Sequence, residues 1–418
     1  MSEKVDRFVA LDVHKHYIVA AAVNALKETV LHPRRISIPR FPEWAAKNLK
    51  PTDALVLEAT TNAWLIHDIV EPLVARVSVA HPYHVKLIAA AAVKTDKKDT
   101  LTLAKLLAAD MIPQVWVPPH PTRELRSLVA HRRRLVSQRS SAKNRLHSLL
   151  HRHSILPPDG LAFSDANREW WNKLSISPTE KLRARHDLSI LDSLSSLIDE
   201  SEAELARLSV TEPWADMVPF VIQLTGFGLI NTMTILGAIG IIDRFPKDKK
   251  LVGYAGLGGR VHDSGKTLKR GGITKQGRRD LRSALIEAAW SAVRYSVYWQ
   301  GVFDKLALRI GKQKAIVAVA RKLLVTLWHL LTKREADRHA DAGKVAAKFM
   351  SWSWLLDDDL RGGLSTPQFV RYNLMRLGIG HNLDSFHYGC KRIIAPAEEL
   401  LALRPELNLL LAEREQAL

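Results

Sequence analysis

Four carboxylates near the start of the chain have the types and spacing to hold a divalent cation. Two of them, Asp12 and Glu58, each end a short apolar run. The other two, Asp96 and Asp99, are three positions apart, which puts both on one face of a helix. Acidic side chains gathered at one point repel one another and usually have a cation between them. Cations held this way activate an attacking oxygen and stabilise a leaving oxygen, so the pattern predicts phosphodiester cleavage.

Two histidines follow Asp12 closely and flank Lys15. Imidazole nitrogens are common metal ligands, so His14 and His16 could extend the carboxylate set. A solvated pair at the end of a strand is the simpler interpretation, and we prefer it.

A basic, glycine-containing block at 251–285 has the composition of a segment that contacts a phosphate backbone. Within it, Ser264 precedes a glycine and has cationic neighbours, which would stabilise an alkoxide or a pentavalent phosphate. The residues predicted to bind nucleic acid here are Lys266, Lys269, Arg270, Lys275 and Arg278. Ser264 is therefore a candidate nucleophile, and an ordinary loop serine is the alternative.

The segment 224–240 (LTGFGLINTMTILGAIG) has a Gly-x-Gly turn that leads into an apolar helix. This pattern resembles a helix–hairpin–helix element, in which the amides of the turn bind a phosphate. A glycine-containing helix turn without a ligand fits the spacing equally well. The whole uncharged stretch 219–242 is interrupted by glycines, so we expect it to be buried turn and helix and not a membrane span.

The elements needed to position the acids are predicted by the first part of the chain. Apolar runs at 7–13, 17–23 and 29–38 predict a three-stranded meander. Helices and strands then alternate, with helices at 42–49, 62–74 and 84–109 and strands at 53–58 and 76–80. This order is expected of an RNase H-like α/β domain over 1–118. In such a sheet the first and fourth strands are neighbours, so Asp12 and Glu58 should face each other.

Two long amphipathic segments follow and define a helical region over 119–210. The first, 122–153, has near-heptad apolar spacing and carries nine Lys or Arg against one acid. The second, 179–208, ends rich in acids. They could form an antiparallel pair or a dimerising coiled coil. The basic helix could be a spacer or a nucleic-acid-binding arm, in which case we expect contacts from Arg132, Arg133, Arg134 and Arg139.

The last part of the chain is expected to be mostly α-helical over 211–347, and its last strong helix is at 314–331. We assign no role to an extension at 348–418.

The bulk composition points to a polyanionic partner. The chain has 61 Lys and Arg against 43 Asp and Glu, a formal charge of +18. A basic surface kept for solubility is the alternative. One cysteine, Cys390, excludes an intramolecular disulfide and a cysteine-based zinc site, which is typical of a reducing cytoplasm. The charged opening MSEKVDR lacks the apolar run of a signal peptide, so we expect a cytoplasmic protein.

Together these motifs resemble the IS110 family of transposases, over about residues 5–340. The N-terminal marks are ALDVHK around Asp12, VLEAT around Glu58 and KTDKKDTLTLAKLL around the last two acids. The C-terminal marks are the 224–240 segment, YAGLGGRVHDSGKTLKRGGITKQGRRDLRSAL, and KAIVAVARKLL. The proline that usually follows YAGL is absent, and Gly258 and Gly259 stand there instead.

The resemblance implies a RuvC-like domain, a coiled-coil insertion and a C-terminal transposase domain. It implies that Asp12, Glu58, Asp96 and Asp99 bind one or two Mg²⁺ ions, with Mn²⁺ as a possible substitute. It also implies that Ser264 attacks DNA and forms a 5′-phosphoserine link, in a composite site between subunits of a dimer or tetramer. The implied partners are donor and target double-stranded DNA and a structured guide RNA from the element.

Two other functions remain open from the residues alone. One is a hydrolytic RuvC-like nuclease, in which water attacks and Ser264 is only a loop residue. The other is a non-catalytic nucleic-acid-binding protein whose acids are structural.

Overall fold

The computed structural model describes residues 5–88, 95–158, 162–264, 267–389 and 391–394, together with positions 400 and 404. For 261–264, 267–270 and 394 it describes the backbone alone. Cys390 lies outside the described residues. The chain divides into two compact units, 1–118 and 119–418, and the first expected boundary lies at the same position.

The first unit is built on a five-stranded sheet. Its strands are β1 (Arg7–Val13), β2 (Tyr17–Val23), β3 (Thr29–Ser37), β4 (Asp53–Glu58) and β5 (Arg76–Ala80). Their order across the sheet is β3-β2-β1-β4-β5, in which β2 is antiparallel to β1 and β3 while β4 is parallel to β1 and β5. The carboxyl ends of β1, β3 and β4 therefore meet at one edge of the sheet.

Helices cover both faces of this sheet. They are α1 (Phe41–Asn48), α2 (Ala63–Val70), α3 (Pro82–Ile88) and α4 (Asp96–Ala108). Because side chains alternate along a strand, Val9 and Leu11 pack with α1 and α2 on one face while Ala10 packs against α4 on the other. Asp12 follows the alternation of Ala10, so it lies on the α4 face.

The predicted strands and the first helices closely match those observed, but the single helix expected over 84–109 is wrong. Thr95 is extended (φ −146°, ψ 146°), and its hydroxyl accepts a hydrogen bond from the Lys98 amide at 3.3 Å. This is an N-cap, which begins a new helix at Asp96. Asp96 and Asp99 therefore both lie in the first turn of α4, where the helix dipole favours negative charge.

The second unit begins with an antiparallel helical arm. Helix α5 (His120–Arg152) leads through the short α6 (Arg168–Lys173) to α7 (Pro178–Ser209). Leu146 and Leu188 belong to the core between the long helices. Ion pairs Arg132–Glu202, Arg145–Asp187 and Arg152–Glu180 run in opposite directions along the two helices. The arm is therefore an antiparallel pair within one chain, the first of the two expected arrangements.

The rest of the unit is a helical core with two small hairpins. The helices are α8 (Val218–Ile222), α9 (Leu229–Ile239), α10 (Asp248–Tyr254), α11 (Arg279–Tyr295), α12 (Val297–Ile310), α13 (Lys312–Lys333), α14 (Ala342–Ser353) and α15 (Thr366–Leu377). The hairpins are β6 (Gly259–Ser264) with β7 (Thr267–Ile273) and β8 (Ser385–Tyr388) with β9 (Lys391–Ile394). The expected boundary between 347 and 348 falls inside α14, which shares one core with α9, α11 and α13.

One helix, Lys312–Lys333, is long and apolar enough to cross a membrane by length and composition. Its side chains Val319, Leu323 and Leu327 are fully buried within the core of the second unit. It is thus packed as a core helix. The uncharged stretch 219–242 forms α8, a turn and α9, as predicted, and most of it is buried.

Candidate active site

The end of β1 and the start of α4 bring two of the four acids together with a histidine. One ligand atom each from Asp12, His14 and Asp96 lies within 4.8 Å of the others. The Nε2 atom of His14 is 3.1 Å from Oδ2 of Asp12 and 3.5 Å from Oδ2 of Asp96. The side chains remain 24%, 33% and 47% exposed for Asp12, His14 and Asp96, so a substrate can reach them. We call these three residues the acidic trio.

The electrostatics of the trio favour a bound cation. Partial burial raises the pKa of the Asp12 carboxyl, and the charges of Asp96 and Asp99 raise it further. Only His14, through its charge and its hydrogen bond, acts in the opposite direction. A carboxylate that is desolvated beside two other acids is stabilised by a cation between them. Two carboxylate oxygens and one imidazole nitrogen are a donor set that can hold a divalent cation.

Tyr17, at the start of β2, orients the trio from one side. Its hydroxyl donates a hydrogen bond to Oδ2 of Asp96 at 3.0 Å, and its ring stacks on His14 with centroids 4.5 Å apart. The hydrogen bond to Asp96 is the main reason that the pKa of Tyr17 is raised. The guanidinium of Arg35 lies 3.6 Å from the centre of the same ring. These contacts give Asp96 a fixed orientation.

Glu58 and Asp99 lie beside the trio and outside it. Leu57 on β4 pairs with Leu11 on the parallel strand β1. The next residues along the two strands, Glu58 and Asp12, therefore lie at equivalent positions on neighbouring strands. Glu58 is half-buried, and Asp99 is exposed about one turn along α4 from Asp96. The first and fourth strands are thus neighbours, as expected. The hydrogen bond of the Asp12 carboxylate, however, is with His14 and not with Glu58.

Sequence reasoning offered His14 as a possible ligand without preferring it, and it missed Tyr17. His14 is hydrogen-bonded to Asp12, so the interpretation of a solvated pair is wrong for it, whereas His16 is exposed as expected. The missed signal for Tyr17 is its pairing: Val19 opposes Asp12 in the antiparallel β1–β2 pair, and Tyr17 lies on the same face two residues earlier.

Ser264 lies at the end of β6, where its backbone pairs with Thr267 across a hairpin. It is therefore in a strand and not in a loop. The hairpin backbone also pairs Val261 with Arg270 and His262 with Lys269. Lys266 lies outside the described residues.

Two of the predicted basic residues follow this hairpin. Lys275 has a left-handed backbone (φ 56°), and the Arg278 amide donates to the Tyr254 carbonyl at 2.9 Å. The guanidinium of Arg278 is hydrogen-bonded to Asp280, with Nε 3.0 Å from Oδ1. Part of its charge is therefore already compensated within the chain.

The arginines of the arm differ in their surroundings. Arg132 donates from Nε to Glu202 at 2.8 Å, so it helps to hold α5 against α7. Arg133 and Arg134 are exposed and Arg139 is half-exposed. The exposed pair is therefore freer to meet a phosphate than Arg132 is.

The Gly-x-Gly turn before α9 has one glycine required by packing. Gly226 has φ +93°, and a Cβ added there would come within 2.2 Å of the Ala288 carbonyl oxygen on α11. Gly228, by contrast, is the N-cap of α9 and has open space around it. The close packing of this turn against α11 explains Gly226 without a ligand.

Comparison with known families covers both parts of the candidate site. Residues 9–155 match the model of a DEDD transposase domain of the IS110 type, and residues 219–303 match the transposase IS116/IS110/IS902 family. The two matches together span more than half of the chain. The first contains the four acids and the second contains Ser264.

Individual relatives are distant and carry consistent names. The chain is 25% identical over 281 residues to the putative transposase y4qE of Sinorhizobium fredii, covering 64% of this chain and 66% of the relative. It is 24% identical over 261 residues to the transposase for insertion sequence element IS1111A of Coxiella burnetii, covering 59% and 68%. It is 28% identical over 285 residues to the pilin gene-inverting protein of Moraxella bovis, covering 65% and 77%. The matched segment thus spans about two thirds of the length of the first two relatives.

Proposed function

Because the chain belongs to the IS116/IS110/IS902 family of transposases, we propose that it is a DNA recombinase that moves an insertion sequence by metal-dependent strand cleavage and exchange. The observation that carries this proposal is the convergence of Asp12 and Asp96, with His14, at the carboxyl edge of the sheet. The strand order β3-β2-β1-β4-β5 supports an RNase H-like assignment for the unit that holds them.

The four acids Asp12, Glu58, Asp96 and Asp99 would hold Mg²⁺, for which Mn²⁺ could substitute. When bound, such an ion polarises the scissile phosphate and stabilises developing charge. His14 bridges Asp12 and Asp96, and Tyr17 fixes the carboxylate of Asp96, so both residues position ligands. Residues that hydrogen-bond to a metal ligand fix the orientation of that ligand and tune its basicity.

We further propose that Ser264 is the nucleophile. Its hydroxyl oxygen would form an ester bond with the DNA phosphate, giving a 5′-phosphoserine and releasing a 3′-hydroxyl. The match of residues 219–303 to the family supports this role, as does the basic composition of the hairpin around it. The serine and the acids belong to different units, so the site that we propose would be a composite one.

The proposed partners are donor and target DNA, a structured guide RNA and further copies of the chain in a dimer or tetramer, acting in a bacterial or archaeal cytoplasm. The surplus of cationic residues supports a nucleic-acid partner, and the exposed Arg133 and Arg134 are the best-placed contacts on the arm. Arg139 and the basic residues Lys266, Lys269, Arg270, Lys275 and Arg278 remain proposed contacts.

The metal site is tested by removing one charge at constant shape. Asp12→Asn should abolish Mg²⁺-dependent cleavage of a DNA substrate carrying the element ends, because the amide lacks the negative charge with which a carboxylate holds the cation. Asp110→Asn is the matched control: Asp110 is exposed, and its left-handed backbone (φ 54°) tolerates asparagine. Cleavage by Asp12→Asn at the rate of Asp110→Asn would refute the metal site.

The serine is tested by trapping DNA on the protein. With cleavable DNA and Mg²⁺, the wild-type chain should give a denaturation-resistant adduct that is absent in Ser264→Ala and present in Thr267→Val, a control at the residue whose backbone pairs with Ser264 across the hairpin. A hydrolytic nuclease predicts cleavage without any adduct. Normal cleavage by Ser264→Ala would assign the attack to water.

A further inference from the structure

A cavity of about 290 Å³ lies in the second unit beside the turn that precedes α9. Its polar lining comes from three helices and consists of Gly228 and Leu229 at the start of α9, Ser291 on α11, and Lys348 and Ser351 on α14. No described residue that lines it is acidic. Leu355, which also lines it, is 56% exposed, so the cavity is open to solvent. We call it the α9 cavity.

Lys348 brings a positive charge to this cavity that no acid neutralises. Its side chain is largely buried, and its ammonium donates a hydrogen bond to the Leu224 carbonyl. Among the residues that the structure describes, it has no ion pair. An ammonium has three N–H donors, so two of them remain for a further acceptor. Because a buried charge loses its hydration at a high cost, such groups are normally paired with an opposite charge.

The start of α9 adds a second source of positive potential. A serine, threonine or aspartate side chain usually accepts hydrogen bonds from the first amides of a helix. Here the N-cap is Gly228, and no side chain caps the helix. The amides of Gly228 and Leu229 have no acceptor within the described ranges of the chain. A Cβ added to Gly228 would meet nothing within 4 Å, so this end of the helix is open to a ligand.

Ser291 supplies a further donor from α11. Its hydroxyl lines the cavity and has no hydrogen-bond partner in the described part of the protein. The same helix packs against the turn at Gly226, so this packing fixes Ser291 relative to the start of α9. Amides, a hydroxyl and an ammonium from three helices therefore face one open space without an acid between them.

A purely structural role does not account for this arrangement. A neutral donor could satisfy the Leu224 carbonyl, so capping that carbonyl does not require the charge of Lys348. Water in the cavity could accept hydrogen bonds from the ammonium but would leave its charge uncompensated. An anion with several oxygens would supply both the counter-charge and the acceptors.

We propose that the α9 cavity binds a phosphate group, with Lys348 as the counter-charge and with Ser291 and the first amides of α9 as donors. Phosphate oxygens accept strong hydrogen bonds from cations and from the amides of helix N-termini. Two sources share this chemistry, a free phosphate and a phosphodiester of duplex DNA. Only the DNA source rests on the proposed function, since it takes the chain to act on DNA.

The first test measures the affinity of the full chain for inorganic phosphate by isothermal titration calorimetry at pH 6, with KCl holding the ionic strength constant. The variants are Lys348→Met and Ser291→Ala. Their matched controls are Lys344→Met, at an exposed lysine one turn earlier in α14, and Ser283→Ala, about two turns earlier in α11. Thermal unfolding in phosphate-free buffer checks that all four variants fold.

Both controls should bind phosphate with the wild-type affinity. Lys348→Met should weaken binding by about tenfold or more, because a hydrogen bond from a charged donor is lost. Ser291→Ala should weaken it by about threefold, because a neutral donor contributes less. If Lys348→Met does not fold, the two serine variants decide: equal affinities for them would then overturn the proposal.

A second measurement identifies the source of the phosphate. Binding of the full chain to a fluorescent DNA duplex is followed by anisotropy across a series of KCl concentrations, in EDTA so that no cleavage occurs. If a phosphodiester occupies the cavity, Lys348→Met should flatten the dependence of log K on log salt by about 0.9, the contribution of one phosphate contact. Lys344→Met should keep the wild-type slope. An unchanged slope with a weakened affinity for inorganic phosphate assigns the cavity to free phosphate.

Equal results for Lys348→Met and Lys344→Met in both assays overturn the proposal. The calorimetric assay uses neither DNA nor a divalent metal, so failure of the proposed cleavage chemistry would leave its result intact. The phosphate site and the recombinase function can therefore fail separately.

Discussion

At the scale of single residues, Asp12 is held in surroundings that disfavour its charge. Burial and two neighbouring acids raise its pKa, and His14 offsets them in part. This is the usual relation between a perturbed carboxyl and a functional site, and it distinguishes Asp12 from the exposed acids of the same unit.

Tyr17 provides a prediction at this scale. Tyr17→Phe removes the hydrogen bond to Asp96 while leaving the ring that stacks on His14. Because that bond orients a proposed ligand, the Mg²⁺ concentration required for half-maximal cleavage should rise roughly tenfold, with activity restored at saturating metal. Tyr83→Phe, at an exposed tyrosine of the same unit, is the control. Identical metal titrations for the two variants would contradict the positioning role.

Lys348 gives a second prediction, about pH. Its ammonium lines a cavity of about 290 Å³ beside the turn before α9 and donates a hydrogen bond to the Leu224 carbonyl. Burial lowers its pKa from 10.5 to about 7. The unfolded chain therefore binds more protons than the folded one between these values, so this group makes stability rise with pH across that window.

Lys348→Met should consequently be more stable than wild type at pH 6, because that pH is below the folded-state pKa of about 7 and most of the buried amine is charged. The difference in unfolding temperature should shrink as pH rises toward 10, near the unfolded pKa of 10.5. Lys344→Met, at an exposed lysine one turn earlier in α14, should show no such trend. A constant difference across the pH range would rule out a desolvated ammonium.

At the scale of elements, the arm and the turn before α9 show how packing selects between sequence interpretations. The heptad pattern of α5 is compatible with a partner in the same chain or in another. In the structure the partner of α5 is α7 of the same chain, and three ion pairs join arginines of α5 to acids of α7. Exposed pairs of this kind contribute little each, so the buried leucines stabilise the arm and the ion pairs mainly specify its direction.

The two glycines of the turn before α9 make the element-scale prediction. Gly226→Ala should destabilise the protein by several kcal/mol, on the order of a severe core substitution, because its Cβ would overlap the Ala288 carbonyl oxygen at φ +93°. Gly228→Ala should change stability by less than about 1 kcal/mol, since nothing lies within 4 Å of its added Cβ. Urea denaturation followed by circular dichroism compares them. Equal effects would mean that Gly226 is not pressed against α11.

At the scale of the whole molecule, the acids and the serine lie in different compact units. A composite site can be completed within one chain or between two chains. The family resemblance implies completion between subunits. If the proposed site is completed in this way, activity depends on assembly as well as on the residues themselves.

Mixing two inactive variants tests this assembly. If acids from one subunit act with the serine of another, Asp12→Asn protein mixed with Ser264→Ala protein should recover part of the recombination activity, because some mixed sites contain both intact groups. A mixture of the doubly substituted chain with Ser264→Ala is the control and should stay inactive, since every serine is then defective. If the first mixture is also inactive while mixed oligomers are demonstrably formed, completion within one chain is indicated.

Much of this organisation could be predicted from local patterns. The strands of the first unit are apolar runs of the observed length, and the acids stand at their ends or at a helix start. The sequence also indicated the two long amphipathic helices of the arm, although it left an antiparallel pair and a dimerising coiled coil both open. These features depend on residues close together along the chain, which is why they can be read from it.

Only the tertiary structure decided which groups meet. Strand pairing puts Tyr17 on the face of Asp12, and the Thr95 N-cap begins α4 at Asp96, which lies beside His14. It also decided that Gly226 serves the packing of α9 on α11. Each of these outcomes depends on contacts between residues far apart in sequence, whose energies no local pattern contains.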